Sequence, residues 1–285
     1  MANSEHDEYE EKVKKLLRSP SYKILKHISI FKEEYDEKII SMLDHASINY
    51  EIKKDHTNAI RILNKIINYI DNDNDQNKGE YYFRIAKNYF KLKNNDETKK
   101  YCKIAYDEYI QKHKFSNAEK VLLMMKDIIY DVDEMIDLYN LLISLFEIQE
   151  KQGLIEKYKL EMADYYIKKD DLQTAMNIYE YVAESYLNNP NKKYHTAKII
   201  LKSGFCRIAI GDTIAINNGV YKSIYLDNKT ELRLLKDICD IIENNCIVDD
   251  FNYIIRKYDD ITKFDEYEIA LLLKIKKIIE PQIEL

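Results

Sequence analysis

Asp170-Asp171-Leu172-Gln173-Thr174-Ala175 sets polar residues ahead of a small residue that opens an apolar helical run. The same arrangement stands at Lys54-Asp55-His56-Thr57-Asn58-Ala59 and at His113-Lys114-Phe115-Ser116-Asn117-Ala118. Ala59 and Ala118 are 59 positions apart, and Ala118 and Ala175 are 57 apart. Three helices per interval give each helix and its turn about 19–20 residues, so a hairpin recurs about every 39.

Between these turns the apolar residues recur at helical spacing. Ile60, Leu63, Ile67 and Ile70 share a face, as do Leu138, Leu141, Leu142, Leu145 and Ile148, and Ala175, Ile178, Tyr179, Val182 and Tyr186. Further breaks at this pitch are expected at Asn77-Lys78-Gly79, Asn94-Asn95, Gly153, Asn188-Asn189-Pro190 and Gly211. With 5 Gly and 3 Pro in 285 residues, the chain has few of the punctuators that sheets and long loops need. The pattern predicts an all-α chain. Residues 35–212 form a right-handed, TPR-like solenoid of antiparallel helix hairpins, in which each hairpin buries its apolar stripe on the next. Residues 213–285 keep helical periodicity but lose the turn pattern, and are expected to form a C-terminal helical bundle.

The composition excludes several classes of function. A net charge of -6 argues against whole-surface nucleic-acid binding. The four cysteines, Cys102, Cys206, Cys239 and Cys246, form no CxxC pair and read as buried thiols of a reducing compartment. The polar, acidic start from Met1 to Glu8 is unlike a signal peptide, and no run of about 18 apolar residues suggests a membrane span. Phosphate-binding loops and nucleophile elbows are absent, and the histidines are scattered. Asp71-Asn72-Asp73-Asn74-Asp75 begins like a calcium loop, but Gln76 and Tyr82 stand where Gly and Glu are required, so it reads as a solvated loop. No metal, cofactor or catalytic residue is expected.

The C-terminal third carries the most specific pattern. Arg256-Lys257-Tyr258-Asp259-Asp260-Ile261-Thr262-Lys263-Phe264-Asp265 precedes Leu271-Leu272-Leu273-Lys274-Ile275-Lys276-Lys277-Ile278-Ile279. Together with Lys202-Ser203-Gly204-Phe205-Cys206, the stretch from Asp170 to Glu180 and that from Tyr109 to Lys120, this resembles the alpha-type soluble NSF attachment proteins. The likeness runs from about residue 35 to 279. It implies a non-enzymatic adaptor, without cofactor, that coats a SNARE four-helix bundle (syntaxin-like and related SNAREs). Several copies lie side by side on the bundle and dock an NSF-type AAA+ ATPase. It also implies a monomer in isolation, cytoplasmic and peripheral on membranes.

The resemblance places site residues as well. SNARE bundles are acidic over much of their surface, so the family's basic positions are expected to meet them; here these are Lys114, Lys120, Lys157 and Lys198, with Lys202 a further candidate. In residues 1–34, an N-terminal helix and membrane-contact loop, Lys12, Lys14, Lys15, Arg18, Lys23 and Lys26 are interleaved with apolar residues around a break at Ser19-Pro20-Ser21. Leu25, Ile28, Ile30 and Phe31 are the candidate lipid contacts, although the family's paired phenylalanines and glycines are missing. Candidate ATPase contacts are Asp240 and Glu243, with Glu280, Glu284 and Leu285 in a tail whose acidity is thin. Two other readings compete: a peptide-binding helical scaffold unrelated to SNAREs, and a divergent attachment protein that binds SNAREs but inhibits their disassembly.

Overall fold

The structure, a computed structural model, describes residues 8–25, 29–70, 78–189, 191–192, 195–217, 230–244 and 247–280. Among these residues every regular element is helical, as the periodicity predicts. The chain divides into two compact units, residues 1–129 and 130–285.

The first unit contains α1 (Glu8–Arg18), α2 (Pro20–Leu25), α3 (Ser29–Ile52), α4 (His56–Tyr69), α5 (Lys78–Lys91), α6 (Asn95–Gln111) and α7 (Phe115–Lys126). Each helix from α3 to α6 packs on the next, and α1 packs on α3. Ile39, Ala46, Ile62, Leu63, Ile66 and Ile85 are fully buried in its core. A buried carboxylate secures α1: Glu10, 4% exposed, accepts from the Arg61 guanidinium at 3.2 Å and the Tyr50 hydroxyl at 3.2 Å. Burial alone would raise the Glu10 pKa, but Arg61 and Lys65 hold it below the usual carboxylate value. The helix break falls at Ser19, where the Tyr22 N–H donates to the Ser19 hydroxyl at 3.2 Å.

The second unit contains α8 (Val132–Ile148), α9 (Gln152–Lys168), α10 (Leu172–Leu187), α11 (Thr196–Ala209), α12 (Thr213–Asn217), α13 (Thr230–Glu243), α14 (Val248–Asp259) and α15 (Glu266–Ile279). The pairs α8 and α9, α9 and α10, and α10 and α11 pack in sequence; α13 and α15 pack on α11. One core joins Ala175, Tyr179 and Val182 to Phe205, Leu235, Ile238, Leu271 and Ile275. The loss of turn pattern after residue 212 is therefore a change of connection within a continuous core.

The repeat lies in the turns. Lys54, Lys93, His113, Glu150 and Asp170 all have φ between 53° and 67°, and Gly211 has φ 88°. At each, the next residue's N–H reaches back to the carbonyl five positions earlier. The bonds run from Asp55 to Tyr50 (2.9 Å), Asn94 to Tyr89 (3.0 Å), Lys114 to Tyr109 (2.8 Å), Lys151 to Phe146 (3.0 Å), Asp171 to Tyr166 (2.9 Å) and Asp212 to Arg207 (3.0 Å). These bonds close the preceding helix by satisfying a carbonyl that has no helical partner. Asp55, Asn94 and Asp171 then cap the next helix, accepting from Asn58, Glu97 and Thr174. Successive left-handed residues are 39, 20, 37, 20 and 41 positions apart, the pitch read from the alanines. Ala59, Ala118 and Ala175 are all fully buried, where a small side chain lets neighbouring helices approach.

Two details differ from expectation. Leu141 and Ile148 are 38% and 59% exposed; the buried stripe of α8 runs instead through Met135, Leu138, Tyr139, Leu142, Leu145 and Phe146. Gly153 lies in the first turn of α9, and the break sits at Glu150-Lys151. The break expected at Asn77-Lys78-Gly79 falls where α5 opens at Lys78, and Gly79 there serves close packing, since an added Cβ would meet the Tyr109 ring at 3.1 Å. Cys102, Cys206 and Cys239 are buried thiols whose pKa burial pushes up to about 12, so thiolate chemistry is suppressed. Cys246 and the loop from Asp71 to Asn77 lie outside the described residues, and no described helix is long and apolar enough to cross a membrane.

Candidate partner-binding surface

In the first unit, Lys114 is the N-cap of α7 and exposed, and its side chain makes no capping bond. The left-handed turn at His113 sets it at the corner between α6 and α7. Lys120 is exposed six residues on, about 9 Å further along the helix. It lies on the α7 face opposite Val121, Leu122 and Met125, which pack inward, and beside Leu123, 37% exposed.

In the second unit, Lys157 on α9 and Lys198 on α11 are exposed on neighbouring helices. Lys157 stands 3.9 Å from Glu161 and 5.2 Å from the Tyr158 ring centroid. Its helical stripe continues through Leu160 and Asp164, which line a cleft of about 630 Å³ with Tyr179, His195, Lys198 and Lys202. Lys202 turns inward and bridges the helices: its ammonium is 2.8 Å from Asp164 Oδ1 and 3.0 Å from Asp265 Oδ2, with 12% of the side chain exposed. Its pairing fixes the spacing of α9 and α11, and so leaves Lys202 poorly placed to greet a partner. The Tyr179 hydroxyl donates to the same Asp164. Burial raises the Asp164 pKa against the opposing pull of Lys202. Asp265 stays below its usual value despite burial, because the Glu268 N–H and Lys202 bind its charged form. Lys192, bound to the buried Glu156, makes a second tie from the loop before α11 to α9.

The cleft's far wall comes from α15. Asp265 caps α15, accepting from the Tyr267 and Glu268 N–H groups at 3.0 and 2.9 Å; Glu268 returns a bond from the Asp265 N–H at 2.8 Å, completing a capping box. The four-residue spacing of Lys198 and Lys202 was visible in the sequence. Their carboxylates, 38 to 70 positions away, gave no local signal.

The other expected contacts fall elsewhere. Asp240 and Glu243 are exposed on α13, one turn apart, and Asp237 extends their row. Burial and the Asp240 charge raise the Asp237 pKa, as expected where acids share a face. Asp237 was missed in the sequence, where only its spacing from Asp240 could have marked it. Asp212 accepts from Arg207 at 2.5 Å and serves the turn after α11. Glu280 is exposed at the C-cap of α15, and Glu284 and Leu285 lie outside the described residues. Leu25 is half-buried in α2, while neighbouring Ile24 is 69% exposed. Ile28 lies outside the described residues; Ile30 and Phe31 belong to the first turn of α3, and their side chains lie outside what is described. No group of acids, histidines and cysteines that could hold a metal occurs among the described residues.

Comparison with known proteins places these features in a family. The family model described as "Soluble NSF attachment protein, SNAP" matches residues 4–280. A probable vesicular-fusion protein sec17 homolog of Schizosaccharomyces pombe is 26% identical over 259 residues, 87% of this chain and 88% of the relative. The alpha-soluble NSF attachment protein of Mus musculus is 26% identical over 206 residues, 70% of this chain and 69% of the relative. That of Vitis vinifera is 25% identical over 140 residues, so there the likeness spans about half of each protein, 48%.

Proposed function

Since the chain belongs to the soluble NSF attachment protein family, we propose that it is an adaptor, without catalysis of its own, that binds an assembled SNARE four-helix bundle and recruits an NSF-type AAA+ ATPase to disassemble it. The observation that carries this reading is the exposure of all four family-matched lysines, Lys114, Lys120, Lys157 and Lys198, on a chain of net charge -6. A rod of helices with an acidic surface can lie against such positions. Charge complementarity there governs encounter and register more than raw affinity. The exposed acids Asp237, Asp240 and Glu243 on α13 and Glu280 on α15 are the surface offered to the ATPase. The exposed Lys15 and Arg18 of α1 and Lys23 of α2, with Ile24 and Leu25, are the part offered to an anionic bilayer, as a cytoplasmic protein peripheral to the membrane would require.

The test is a binding measurement with the intact chain, an assembled SNARE bundle and the separate strands. The bundle is expected to bind, more weakly as salt rises, and the separate strands much less. Equal binding to bundle and strands, or none to either, would favour a peptide-binding scaffold.

A further inference from the structure

Among the described residues, Lys192, Lys198 and Lys202 line the cleft between α9 and α11 and each faces a carboxylate of its own chain, but the three are not held equally firmly. Lys192 binds Glu156, and Lys202 binds Asp164 and Asp265; their side chains are 29% and 12% exposed. Lys198 is 47% exposed and stands 3.6 Å from Glu268, beyond hydrogen-bond length. Glu268 itself is fully buried. Its Oε2 is committed to the Asp265 N–H in the capping box, and its Oε1 has no hydrogen-bond partner among the described residues. A carboxylate tied down in this way cannot follow Lys198 outward, whereas the lysine's long stem can swing away.

We infer that Glu268 is a positioning residue for Lys198: it holds this half-exposed lysine at the rim of the cleft until an acidic side chain of an incoming helix takes the lysine from it. This rests on the proposed reading of the partner as an acidic helical bundle. Before binding, Glu268 offsets part of the charge that the partner seeks. After the exchange, Glu268 is a buried acid without its nearest counter-ion. The groups facing it are Asp265 on its own helix, Lys198 and Lys202 on α11, and Tyr258 on α14. Burial and Asp265 already raise its pKa, and the two lysines and the Asp265 N–H oppose them. Removing Lys198 from that balance raises it further. Partner binding then takes up a proton, and affinity should increase as the pH falls toward the pKa of Glu268.

The experiment measures affinity of the intact chain for an assembled SNARE bundle across pH, for wild type, Glu268→Gln, Lys198→Ala and the double variant. Glutamine preserves the N3 acceptor of the capping box, so α15 keeps its start. Glu268→Gln is expected to bind up to about fivefold tighter, the upper end for a half-exposed pair, and to lose the acid-side gain. Lys198→Ala is expected to bind more weakly and also to lose that gain, a readout that needs no change at Glu268. On the Lys198→Ala background, Glu268→Gln should change nothing. Additive effects of the two substitutions, or an acid-side gain that survives Lys198→Ala, would overturn the role of Glu268 alone. Failure of the wild type to bind would overturn the partner reading and this inference together.

Discussion

Lys202→Ala is expected to destabilise the second unit by about 3 kcal/mol, the lower end for one partner removed from a buried pair, since Asp265 keeps about a third of its exposure. Without the ammonium, Asp164 and Asp265 repel each other across the α9–α15 contact; the Tyr179 hydroxyl alone remains on Asp164, while Asp265 keeps its two α15 N–H donors and the field of Lys198. Lysine stem packing adds to the loss, because Lys202 also lies 5.2 Å from the Tyr267 ring centroid. Denaturant unfolding of wild type, Lys202→Ala and Lys202→Met measures it; methionine restores the stem but not the charge, so most of the loss should persist. A cost below about 0.5 kcal/mol, the range of surface substitutions, would mean that Lys202 is an ordinary surface lysine.

The second large effect concerns binding. Lys120→Glu and Lys157→Glu together should weaken binding of an assembled SNARE bundle about a hundredfold, since like charges set against each other cost several kcal/mol across an interface. Both side chains are exposed, so stability should change by less than about 0.5 kcal/mol. Lys38→Glu together with Lys103→Glu, both exposed and outside the four matched lysines, gives the same change of net charge and is the control. An equal loss from that control pair would reduce the effect to overall charge.

How far the sequence reached depends on whether the signal was local. The turns at Lys54, His113 and Asp170 were legible because the polar residues, the cap and the small residue that opens the next helix are contiguous. Glu150 was not, because the left-handed positions Lys54, Lys93, His113, Glu150 and Asp170 share no single residue type, and the nearest glycine, Gly153, lies inside α9. A better marker was available. An aromatic residue stands four positions before each of the five non-glycine left-handed residues, at Tyr50, Tyr89, Tyr109, Phe146 and Tyr166. Fold class needed only periodicity, and the exposed lysines came from the family likeness.

The buried acids Glu10, Glu156 and Glu268 were hidden for the opposite reason. Each sits at an apparently solvated helix position, and its cation arrives from far along the chain: Arg61, Lys192 and Lys198. Likewise Gly204 read only as part of a family motif. The structure shows that an added Cβ would stand 3.0 Å from Leu235 Cγ and closer still to its methyl groups, so α11 and α13 approach through that glycine.

The most direct measurement of the central claim is reconstituted disassembly. An assembled SNARE bundle is mixed with an NSF-type ATPase and ATP, with and without the intact chain, and release of the separated strands is followed over time. Release that depends on this protein, on ATP hydrolysis and on Lys120 and Lys157 is the result predicted. A chain that binds the bundle tightly yet leaves it assembled would contradict the recruiting role and favour an inhibitor of disassembly.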